Sequence, residues 1–94
     1  MGLSEVSLEQ IKDFCGVSGD DSDALLELIS DGARGFILGY TGLDEAAADK
    51  LSDLSLAFMV LVNEMFTNRT YTVETDKLNP FVAQVLASHR ENLL

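Results

Sequence analysis

The sequence predicts an all-α domain, a small bundle of about four helices around one central apolar helix, with an irregular or strand-like connection before the last helix. Three observations predict it. Residues 51–69 carry no charge between Asp53 and Glu64 and are far more apolar than a one-sided surface helix needs. Helix start and stop signals recur along the chain: Ser7-Leu8-Glu9-Gln10 ahead of Gly16, an acidic turn ahead of Thr41-Gly42, and Asn79-Pro80 near the end. Between these signals the apolar residues recur at helical rather than alternating spacing.

The first signal is a capping box, in which the Ser7 hydroxyl accepts from the backbone three residues on and Gln10 reaches back. A helix over about residues 8–15 follows, with Leu8, Ile11, Phe14 and Cys15 on its inner side, and Gly16 ends it. Asp20-Asp21-Ser22-Asp23 then invites a metal reading. A calcium loop needs ligands at alternating positions, and the next alternate position here is Leu25. The run reads instead as a helix start, with Asp or Ser as N-cap and further carboxylates favoured by the helix dipole.

The second helix is expected over about residues 22–40, with Leu25, Ile29, Ala33, Phe36 and Tyr40 on its core face and Leu26 and Ile37 widening that face. Gly32, Gly35 and Gly39 lie inside it, each costing about 1 kcal/mol of helix propensity relative to Ala. This helix therefore depends on tertiary packing, and its small residues let another backbone come close. A phosphate loop would follow a strand and precede a helix, which these glycines do not. Gly42 closes the helix. Asp44-Glu45-Ala46-Ala47-Ala48-Asp49-Lys50 is a polar linker, suited to a helical turn capped by Asp44 or to a backward extension of the central helix.

In the central helix, at about 100° per residue, Leu51, Leu54, Phe58, Leu61, Val62 and Met65 form one stripe, sufficient as a core face. Leu56, Met59 and Val60 project to the other side, among Ser52, Asn63 and Thr67. Another helix of the chain or another copy of the protein must cover them. Residues 70–75 switch to β-branched and aromatic residues at period two. A lone strand is unstable, so this stretch is either an ordered loop or a partner for an edge of a neighbouring chain. Tyr71 and Val73 accordingly join Leu56, Met59 and Val60 as candidate subunit-interface residues. Asn79 as N-cap and Pro80 at the first helical position restart helix, and Phe81, Val82, Val85 and Leu86 give an amphipathic final helix to about Arg90. Residues 91–94 are expected to fray.

With 94 residues the chain is expected to be one domain, near the size at which oligomerisation commonly supplements a small core. The net charge of −10, from 16 acidic against 6 basic residues, argues against nucleic-acid binding through a basic patch and favours protein partners. The uncharged run is too short to cross a bilayer, the acidic N-terminus lacks the basic region of a signal peptide, and the lone cysteine fits a reducing compartment. Asn68-Arg69-Thr70 matches a glycosylation sequon, read as chance without a secretory signal. No zinc ligand set is present, and Cys15 with His89 would make a nucleophilic pair only if the two met in space. No catalytic residue, cofactor or metal is expected.

The order of landmarks resembles the head-tail connector (adaptor) family of tailed bacteriophages, small helical proteins also labelled DNA-packaging proteins. The residues that carry the resemblance are Leu8-Glu9-Gln10-Ile11-Lys12-Asp13-Phe14, Val17, Asp23, Leu26, Ile29, Ala33 and Tyr40-Thr41-Gly42-Leu43. Asn68-Arg69 and Asn79-Pro80 extend it over most of the chain. The departures are Gly16, where the family often has a basic residue, and residues 70–78, which do not align readily. The resemblance implies a structural virion protein. Copies would form a ring beneath the portal, extend the DNA channel and meet a neck or tail-completion protein, at the virion's head-tail junction and in the bacterial host cytoplasm during assembly. An acidic channel wall would let DNA slide through without specific binding.

Two other readings come from different classes. Asp21-Ser22-Asp23-Ala24-Leu25 at a helix start resembles the attachment site of an acyl carrier protein, with phosphopantetheine on Ser22. That family has Leu directly after the Ser and a longer first helix, and this chain has neither. A small bacterial regulatory adaptor is the third reading.

Overall fold

A computed structural model describes residues 2–90 of the chain. After a 3-10 turn at Leu3–Glu5 come α1 (Leu8–Cys15), α2 (Asp23–Thr41), the single turn α3 (Glu45–Ala48), α4 (Ser52–Asn68), a 3-10 turn at Thr75–Lys77, and α5 (Pro80–His89). The described residues contain no strand. The expected fraying of residues 91–94 falls outside them.

The helix boundaries follow from local chemistry. Ser7 Oγ accepts from Gln10 N at 3.1 Å while Gln10 Oε1 accepts from Ser7 N at 2.8 Å, the reciprocal capping box. Gly16, at φ 71°, closes α1, its own N–H and that of Val17 reaching back to Asp13 O and Lys12 O. Gly42, at φ 78°, closes α2 in the same left-handed conformation. Asp44 caps α3 through Ala47 N at 2.8 Å, so the polar linker forms its own turn and does not run into α4. Asn79 accepts from Phe81 N at 2.8 Å ahead of Pro80.

The central helix is α4, packed against α2, α5 and α1. Leu54, Phe58, Leu61, Val62 and Met65 are buried as expected, with Leu51 partly buried at the N-cap, and Ala57 and Ser55 widen the stripe. Onto it α2 lays Leu26, Ile29, Ala33 and Ile37, and α5 lays Val82, Val85 and Leu86. Two buried hydroxyls are satisfied within α2: Ser30 Oγ donates to Leu26 O at 2.6 Å and Thr41 Oγ1 to Ile37 O at 2.7 Å.

Several expectations are corrected. The core face of α2 is centred on Leu26 and Ile37, so Leu25, Phe36 and Tyr40 are only partly buried along its margin. Phe14 and Phe81, assigned inward, are 41% and 40% exposed, because each lies one step beyond the buried arc of a short helix. Among the described residues no atom beyond the helix's own backbone lies within 4 Å of a Cβ built on Gly32, Gly35 or Gly39. Ser22 stands at the N-cap of α2 without a side-chain capping bond. The acidic turn is tied instead by Lys12, whose Nζ lies 2.8 Å from Asp23 and 3.6 Å from Asp20. Residues 70–75 form no strand, which is the ordered-loop alternative of the two expected. Their entry is fixed by Arg69 at φ 52°, with Thr70 N donating to Met65 O at 3.0 Å, and they lead into the 3-10 turn.

The N-terminal turn is an element that the sequence reading did not anticipate. Leu3 and Val6 are buried. Ser4 donates from its backbone N at 2.8 Å and from its hydroxyl to Asp49, at the far end of α3. A side chain at Gly2 would collide with Asp49, 2.8 Å from its Cβ.

Candidate subunit interface

The apolar residues left uncovered fall on distinct faces. On α4, Leu56 lies opposite the buried stripe and is 44% exposed. Met59 and Val60 flank it and are partly buried, packed against the edge of the core. The polar neighbours Asn63 and Thr67 continue this face, with Thr67 Oγ1 donating to Asn63 at 3.3 Å. This face bears no charge except Asp53 near its start, and that carboxylate is held by His89 Nε2 at 2.7 Å.

Tyr71 lies elsewhere. It is 58% exposed and walls an apolar groove of about 240 Å³ with Leu25, Leu28, Ile29, Gly32 and Met65. Val73 belongs to a third place, a more polar hollow of about 210 Å³ beneath the C-terminal half of α4, where Leu61, Glu64 and Lys77 also lie. The five candidate residues therefore do not form one patch. Leu56, Met59 and Val60 stay together, Tyr71 joins α2, and Val73 lines the neighbouring hollow, with Met65 in the wall of both.

Leu28, 71% exposed, is the residue the sequence reading missed. Its signal was its phase: at 100° per residue it falls on the far side of α2 from Leu26 and Ala33.

Most of the basic side chains are engaged within the chain. Beyond the Lys12 pair with Asp23 and Asp20, Lys77 meets Glu74 at 3.0 Å and Arg34 meets Asp31 at 3.5 Å. The guanidinium groups of Arg34, Arg69 and Arg90 lie over Phe58, Phe66 and Tyr40, at 4.8, 4.6 and 4.7 Å from the ring centres. The hydrogen bond from Lys12 to Asp23 raises the lysine pKa. The two Ser4 donors hold the Asp49 carboxyl below its ordinary value.

The residues weighed for chemistry sit in structural roles. His89 bridges α5 to Asp53 on α4. Burial pushes the Cys15 thiol pKa up, the opposite of what activates a nucleophile. Among the described residues no group of three or more His, Cys, Asp or Glu side chains is placed to hold a metal ion. No helix among them is long and apolar enough to cross a membrane.

The profile of the phage gp6-like head-tail connector family matches residues 5–91, from the 3-10 turn through the last helix. No curated protein and no solved structure is matched. The match takes in all five α-helices, and neither an acyl carrier nor a regulatory adaptor family is what it describes. This chain belongs to the phage gp6-like head-tail connector family.

Proposed function

We propose that copies of this chain form a ring beneath the portal at the junction of a phage head and tail. The ring extends the DNA channel and offers its far side to a neck or tail-completion protein. The observation that carries the reading is the family match over residues 5–91. The exposed apolar residues Leu28, Leu56 and Tyr71 support it, because a small domain that leaves such residues uncovered gains from assembly.

Charge supports the channel role. With a net charge of −10 the wall repels phosphate, so DNA passes without being held by counterion release. The protein acts as a structural part of the virion, made in the host cytoplasm, with no catalytic step.

Disrupting its gene in the phage or prophage that encodes it tests the role. The expected lysate contains heads and tails that remain unjoined, restored by the wild-type chain supplied in trans. Fully joined, infectious particles in the absence of the chain would overturn the reading.

A further inference from the structure

We draw no further inference here: the strongest candidate, the apolar groove of about 240 Å³ that Leu25 and Leu28 of α2 form with Met65 and Tyr71, is an uncovered face, and nothing in the structure shows what covers it.

Discussion

Replacing Gly32, Gly35 or Gly39 with alanine should stabilise the free chain. All three lie inside α2, and the positive φ angles among the described glycines belong to Gly16, Gly19 and Gly42, so no left-handed backbone is at stake in the helix. The added methyl group meets no atom within 4 Å, so neither a clash nor new packing enters. What remains is helix propensity, about 1 kcal/mol per Gly→Ala change. For a domain of this size that shifts the melting temperature by about 4–8 °C per substitution. The three changes touch no shared partner, and together they should approach ~3 kcal/mol. Urea unfolding followed by helical circular dichroism, at a concentration where the chain is monomeric, measures this, with the slope against urea unchanged. The same change at Gly42, whose φ is 78°, should instead destabilise by about 1 kcal/mol. Destabilisation at Gly32, Gly35 or Gly39 would mean that this face of α2 is covered within the monomer, and the open space above the glycines would be wrong.

Phe58→Ala removes a fully buried ring, together with the surface on which the Arg34 guanidinium lies, and should cost about 3–5 kcal/mol in the same urea assay. Asn79→Ala loses the cap on Phe81 N and leaves Glu64 without its donor, so about 1–2 kcal/mol should go and α5 should show faster amide exchange at its start. The depressed Asp49 pKa gives stability that is present above the unfolded carboxyl value and is lost as pH falls through the folded value, and Ser4→Ala should flatten that acid limb of the melting curve. The raised Lys12 pKa works in the other sense. Its contribution is complete below the unfolded lysine value and fades as pH rises through the folded one, a limb that Lys12→Met should remove. In a filter-binding titration at physiological salt the chain should retain no duplex DNA up to about 10⁻⁴ M, weaker than ordinary non-specific binders.

Where the chain's structure is local, it was legible. The start and end of α1 follow from Ser7, Gln10 and Gly16 alone, and the first stripe of α4 from its spacing. What depends on residues far apart was not legible. The tie between Ser4 and Asp49 spans 45 positions, and neither residue announces the other. Lys12 looked like one scattered cation until the fold brought it to the acidic turn that was read as a cap. On α2 the apolar residues occupy so wide an arc that spacing alone put the core face on Leu25, Phe36 and Tyr40, where the fold centres it on Leu26 and Ile37.

The exposure of the candidate residues was legible in part. The surplus of apolar residues on α4 pointed to Leu56, Met59 and Val60, and Leu56 is indeed exposed. The period-two pattern of residues 70–75 left an ordered loop and a strand both open, because strand preference expresses contact with a neighbouring strand. No strand occurs among the described residues, so the stretch turns and sets Tyr71 against α2. The glycines were expected to admit a neighbouring backbone, and no described residue of the same chain takes that place.

The assembly state of the wild-type chain tests the central claim most directly. Images of the concentrated protein, alone and with its portal, should show closed rings of one diameter, with a native mass at a single whole-number multiple of the 10.2 kDa chain. A chain that remains a monomer in both conditions, or that forms open aggregates of every size, would contradict it.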